Sequence, residues 1–448
     1  MKLSRLLITI ALGLGLSLAL LWMLQERSEP ALAESSLAPT SSSLARQHDP
    51  VVITGGLLSN LTGNPLDEIF VYVYQGSTLT QIPFQIDERD AGGMYVAVED
   101  GQLDDNDELV FMTIDGGDWV DNPALDAGGT LITPTYVITL SDPISSTHAW
   151  AYVFCSAALS RTFTADYVSY DDGNDRIASS GRYALGFNAT YAFRDYLALS
   201  DGSLDLLDRD KLRITGTASI PPFPPFPVSG DEEDVTKVGV HAIDGPVRVT
   251  RVSTNSFTVL DQLTHITTTL FAYRSLVVQS ATVAVPGDPV QIATHRTSMD
   301  WNEQASGMIY YDANNPAGAT IDGLPDMITI TPPTRWTQVV SITGSVVNVS
   351  KIPAGLGGTQ STYHKDDGTI DSVDTGDQRS YGDAGFQVNN PNPGSYTTLG
   401  HTYFLTGITT NVGTTYVDYY DNPIQVSVTA FTPVWTIYLP LVAKDTLP

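Results

Sequence analysis

The sequence predicts an all-β protein of antiparallel β-sandwich architecture, with two β domains and few short helices. Three observations carry this. Runs rich in Thr, Val and Tyr recur between Gly, Asn, Asp and Pro breaks, as strands between turns do. No long stripe of apolar residues at helical spacing occurs anywhere in the chain. The acids are also 40 Asp against 10 Glu, and Asp favours turns and caps where Glu favours helices.

In chain order, Lys2 and Arg5 precede the uncharged apolar run 6–24, and Ala31-Leu32-Ala33 follows. This is the pattern of an export signal over 1–33, cleaved before Glu34. The run is also long enough for an uncleaved anchor. Either way the rest of the chain is expected outside the cytoplasm. Residues 34–48 are Ser-rich and read as a flexible linker.

Strand-like runs then lie at 68–74, 136–140, 150–154, 247–252, 270–285, 337–349 and 424–430. The two longest have room for more than one strand each. Residues 247–252 alternate apolar and polar, which predicts one wet face. Short helical turns are expected at 103–112 and 204–212, after Asp-Gly corners. Because strands follow strands without intervening helices, antiparallel sandwiches are expected rather than a parallel sheet. We place an N-terminal β-sandwich at 49–160 and a larger one at 161–433. The Pro-rich run 221–227 cannot be an interior strand, since Pro lacks the ladder donor, and it is expected as an exposed excursion of the second unit. The apolar tail 434–448 resembles the Tyr-Leu-Pro-Leu-Val endings of assorted secreted bacterial proteins; it reads as a docking or sorting element or as a last edge strand.

Cys155 is the only cysteine, so no intrachain disulfide exists, and its apolar surroundings mark it as a core thiol. The net charge of −28 excludes nucleic acid and anionic membrane surfaces as natural partners.

The octet Asp-Gly-x-(Leu/Ile)-Asp-x-x-Asp occurs at Asp100, Asp201 and Asp367. It is the second half of an EF-type loop, in which Gly permits the turn that gathers oxygens around calcium. The first two ligand positions are Val96 and Val98, Leu197 and Leu199, and Tyr363 and Lys365, so no copy is a complete EF-hand. The second copy reads as a helix start. Structural calcium is therefore expected at Asp100, Asp104 and Asp107 and at Asp367, Asp371 and Asp374, with further oxygens from the fold. Asp300, Trp301, Tyr311 and Asp312 form a second candidate set, because an exposed aromatic ring beside carboxylates can stack on a sugar and bind its hydroxyls.

Hydrolase elbows, zinc-protease motifs and phosphate loops are absent, and the seven His share no metal-ligand spacing. A carboxylate pair for glycoside hydrolysis cannot be located among so many Asp. Residues Ile82-Pro83-Phe84-Gln85-Ile86-Asp87, followed by Asp104 and Asp107-Glu108-Leu109-Val110-Phe111, resemble the opening β region of secreted bacterial proteins with galactose-mutarotase-like β-supersandwich folds. Asp244-Gly245-Pro246-Val247-Arg248 resembles a strand start in their larger domain. The resemblance implies carbohydrate, including polysaccharide, as substrate or ligand class; no family catalytic residue matches here. Two functions follow: a secreted carbohydrate-binding or carbohydrate-active protein with structural calcium, or a non-enzymatic cell-surface, adhesion or envelope protein.

Overall fold

The computed structural model describes residues 41–200, 204–259 and 262–432. The export signal, linker residues 34–40, the start of the second octet and the apolar tail from residue 433 on lie outside the described residues.

The fold is all-β, built from stacked antiparallel sheets. In the N-terminal unit a four-stranded sheet contains Pro50–Thr54, Glu108–Met112, Phe84–Arg89 and Tyr95–Val96. It faces a five-stranded sheet that includes Ile69–Gln75, Tyr136–Ser141 and His148–Cys155. Val51, Ile53, Val71, Leu109, Phe111 and Trp150 share the core between them. The fifth strand comes from the other end of the chain: Gln425–Ala430 pairs antiparallel with Tyr136–Ser141. The first sandwich therefore does not close within 49–160. Its second sheet is completed only when the chain returns, and Val426 and Val428 pack on its core.

The larger unit is layered around a nine-stranded sheet. The predicted run 270–285 divides into Gln262–Tyr273 and Leu276–Val285, and 337–349 into Trp336–Val340 and Gly344–Ser350. Both are hairpins, because turn residues interrupt each run. One core joins this sheet, a four-stranded sheet of residues 169–199, and a five-stranded sheet that contains Leu207–Ala218, Val290–Trp301, Ser380–Asn389 and Thr359–Asp367. The nine-stranded sheet has a second buried face. There Val110 and Met112 of the N-terminal unit meet Val247, Tyr273, Trp336 and Tyr403.

Several expectations are corrected. The helical turn at 103–112 gives way to strand Glu108–Met112, and the helix start at 204–212 gives way to strand Leu207–Ala218. Asp-Gly corners serve a strand as readily as a helix, and Glu108–Met112 is buried on both faces, with Leu109 and Phe111 in one core and Val110 and Met112 in another. The α-helix among the described residues is Gly413–Asp421, which buries Tyr416 against the second core. The alternating strand at 247–252 has no wet face: all six residues are buried, and Arg248 is paired with Asp87 and Glu108 of the N-terminal unit. The described end of the linker is docked: Arg46 is buried, ion-paired to Asp49 and Asp142, and donates to the Tyr419 and Asn422 carbonyls. Cys155 is half-buried at a strand end. The Pro-rich run is exposed beside the edge strand Phe226–Asp231.

Candidate functional site

The octets share a sequence but not a structure. In the first, Leu103 is fully buried; the matching Ile370 of the third is 68% exposed. Asp100 Oδ1 accepts from the Gln102 amide, and Asp367 Oδ1 from the Thr369 amide and hydroxyl. Asp107 is spent on the backbone, accepting from the Asp104 and Arg89 amides. Asp104 lends the fold its backbone, through the amide that Asp107 holds and a carbonyl that receives the Asp107 amide. Asp371 accepts from the Val373 amide, and Asp374 accepts from the Thr375 amide and pairs with Lys211 and Arg213. Among the described residues no three His, Cys, Asp or Glu side chains converge as a metal site.

The second candidate set is also dispersed by the fold. Trp301 is 1% exposed and faces the core, so it offers no ring face to a sugar. Tyr311 belongs to the other buried face of the nine-stranded sheet. Asp312 is buried, accepting from the Tyr310 hydroxyl at 2.7 Å and from the amides of Asn314 and Asn315. Strand alternation separates Asp300 from its neighbour Trp301, because successive side chains point to opposite faces.

On that opposite face Asp300 joins Asp374 in a cluster whose other members the sequence did not mark. Lys211, on the neighbouring strand, has a fully buried side chain. Its Nζ lies 2.5 Å from Asp300 Oδ2 and 2.9 Å from Asp374 Oδ2. Arg213 Nη2 reaches Asp374 Oδ1 at 2.5 Å, and Nη1 pairs with the buried Glu232. Asp383, on the next strand, is also buried, and its Oδ1 has no hydrogen-bond partner. Burial, and then mutual repulsion with Asp383, pushes Asp300 well above the usual carboxylate range. Burial raises Asp383 as well. For Asp374 burial acts upward, but Lys211 and Arg213 outweigh it and hold the group below its ordinary value. None of these side chains lines the cleft formed by the 314–328 segment or the cleft over residues 169–200. A sequence signal did exist: Arg209, Lys211 and Arg213 alternate along one strand in a chain poor in bases.

The motifs that carry the family resemblance meet one another. Gln85 Oε1 accepts from the Val247 and Arg248 amides, at 2.9 and 2.8 Å. Arg248 Nε donates to Asp87 at 2.6 Å and Nη2 to Glu108 at 2.5 Å, with Phe271 against the guanidinium. A Cβ on Gly245 would stand 2.5 Å from Gln85 Oε1, so only glycine allows this approach. These residues lock the two units together and are far too buried to meet a ligand.

The accessible site of suitable shape lies on the outer face of the four-stranded sheet. Arg176, Gly186 and Tyr196 stand side by side on three adjacent strands. The Arg176 guanidinium sits 4.0 Å from the Tyr196 ring centroid. Gly186 lies between them, and a Cβ there would come within 2.9 Å of Tyr196 Cβ. The glycine thus lets the two side chains meet across the central strand. Ala178 and Ala184 continue the floor of a cleft of about 700 Å³, with Ser169, Asp171, Ser180 and Ser200 around it. The second cleft, of about 520 Å³, is formed by the 314–328 segment and is more polar.

No family model matches the sequence, and no curated protein matches it. Among solved structures, an α-N-acetylgalactosaminidase from Bifidobacterium bifidum in complex with GalNAc aligns at 11% identity, TM-score 0.34, over 58% of this chain and 39% of its own. An α-mannosidase from Enterococcus faecalis aligns at 10% identity, TM-score 0.43, over 87% and 45%. A β-arabinopyranosidase aligns at 10% identity, TM-score 0.31, over 53% and 40%. The chain spans less than half the length of each.

Proposed function

We propose that this protein binds carbohydrate outside the cytoplasm, through the cleft on the four-stranded sheet. The observation that carries the proposal is the accessible Arg176–Tyr196 stack beside a floor of small residues and a rim of hydroxyls. A sugar ring has an apolar face and a hydroxyl edge; it suits a flat side chain with polar groups at its margin. A net charge of −28 disfavours polyanions as the ligand in spite of Arg176.

Calorimetric titration of a panel of neutral and acidic polysaccharides tests this. Tyr196→Ala is expected to weaken binding roughly tenfold or more, about 1.4 kcal/mol. Binding that survives both Tyr196→Ala and Arg176→Ala unchanged moves the ligand elsewhere, and no binding across the panel ends the reading.

The second reading is a non-enzymatic surface protein. The spending of octet carboxylates on turns and ion pairs favours it, because such chemistry stiffens a scaffold without forming a site. Structural calcium at the acidic loops is a further proposal, compatible with both readings. Export rests on the pattern at residues 1–33.

A further inference from the structure

We propose that Lys211 and Asp300 become joined by an intramolecular isopeptide bond, formed within the folded chain with Asp383 as the proton-transferring acid. Three features point to it. Both partner side chains are fully buried, on adjacent strands, with Nζ 2.5 Å from Asp300 Oδ2. That oxygen has no aligned hydrogen-bond donor in spite of the short approach, whereas Asp300 Oδ1 is fixed by the Tyr381 amide at 3.1 Å. Asp383, 1% exposed, keeps Oδ1 without a partner on the same face of the sheet.

The step balances without any outside reagent. One proton passes from the Lys211 ammonium to the Asp300 carboxylate, leaving a neutral amine and a neutral acid. A buried site favours this form because two separate charges are costly to desolvate there. The Nζ lone pair attacks Asp300 Cγ and the carbonyl π electrons move to oxygen. Asp383 takes a proton from the nitrogen and returns it to the hydroxyl that leaves. The Cγ–O bond breaks, the amide forms and one water departs; nothing is oxidised or reduced. Exclusion of solvent then opposes hydrolysis. Lys211 is drawn upward by the surrounding acids, so its amine arises by transfer within the pair rather than by loss to solvent. The raised Asp300 supplies the neutral acid that acylation needs. Asp374 is the competing acid, but its carboxylate is shared with Arg213 and held as an anion, which does not acylate an amine.

The bond would brace a chain whose single cysteine allows no internal disulfide. It joins two interior strands of the five-stranded sheet.

Tryptic digestion of the denatured full-length protein, followed by mass spectrometry, tests the proposal. The expected product is the segment 210–213, uncut after Lys211, joined to the segment 297–335 and lighter than their sum by one water. Asp383→Asn, checked for a native circular-dichroism spectrum, is expected to yield the linear peptides, as is Lys211→Arg. Linear peptides from the folded wild-type protein overturn the proposal. Linkage to the segment 366–379 overturns the choice of Asp300, and a bond that persists in Asp383→Asn removes Asp383 from the step.

Discussion

Asp115 ends a short helical turn after strand Glu108–Met112 and accepts from the Tyr167 hydroxyl at 2.7 Å through Oδ1, while Oδ2 has no partner. Burial pushes this carboxyl up to about 6, against the pull of Tyr167 and Arg274. A raised acid stabilises the fold below its unfolded value, near 4, and that contribution is lost as pH rises through about 6. Asp115→Asn keeps the acceptor for Tyr167 and removes the titration. The variant should therefore gain on the wild type by about 2 kcal/mol between pH 4 and pH 7. Urea midpoints at the two pH values check it; a constant difference would mean that Asp115 does not titrate in this range. The same scale governs Lys211, whose neighbours decide whether it stays an ammonium or becomes an amide. The role of Asp115 is not legible in the sequence, where it is one of 40 aspartates; the alternating bases Arg209, Lys211 and Arg213 mark a charged face but not the acids that meet it.

At the scale of loops and strands, the acidic octets show how far a local pattern reaches. The pattern specifies an Asp-Gly turn with oxygens close by, and the first and third copies each hold an Asp that caps amides two residues on. Whether the remaining acids gather round an ion depends on what the loop lies against. The first lies on strand Phe84–Arg89, whose backbone takes Asp107; the third lies over Lys211 and Arg213, which take Asp374. Thermal melts with and without chelator test the calcium proposal. A midpoint lowered by chelator supports a bound ion at the acidic loops, and a shared midpoint counts against one. Strand positions were far more legible, since six of the seven predicted runs start within two residues of an observed strand, the run 270–285 beginning inside a hairpin arm. Alternation, turn residues and β-branched content act locally, so the sequence displays them directly.

For the whole molecule, Arg248 is the joint between the units. Its charge is buried with Asp87 and Glu108 from two strands of the N-terminal sheet. Arg248→Met leaves two buried carboxylates without their cation and should cost about 3–5 kcal/mol. Denaturant unfolding measures this, and a loss below about 1 kcal/mol would mean that the junction does not rest on the ion pairs. Strand Gln425–Ala430 is the second tie, since it carries the C-terminal end back into the first sheet. Among the described residues no helix is long and apolar enough to cross a membrane.

The sequence by itself determined the all-β class, the antiparallel strands, the exposed Pro-rich excursion and the absence of disulfides. Each follows from composition or from spacing within a few residues. Only the tertiary structure decided that Trp301 faces the core, that Gln425–Ala430 completes the first sandwich, and that the resemblance motifs around Gln85 and Arg248 form a joint. It alone brought Lys211, Asp300 and Asp383 together, and Arg176 over Tyr196. The reason is physical. A residue's strand preference is set by its neighbours in the chain, whereas the face it turns to, and the charge it finds there, are set by strands as much as hundreds of residues away.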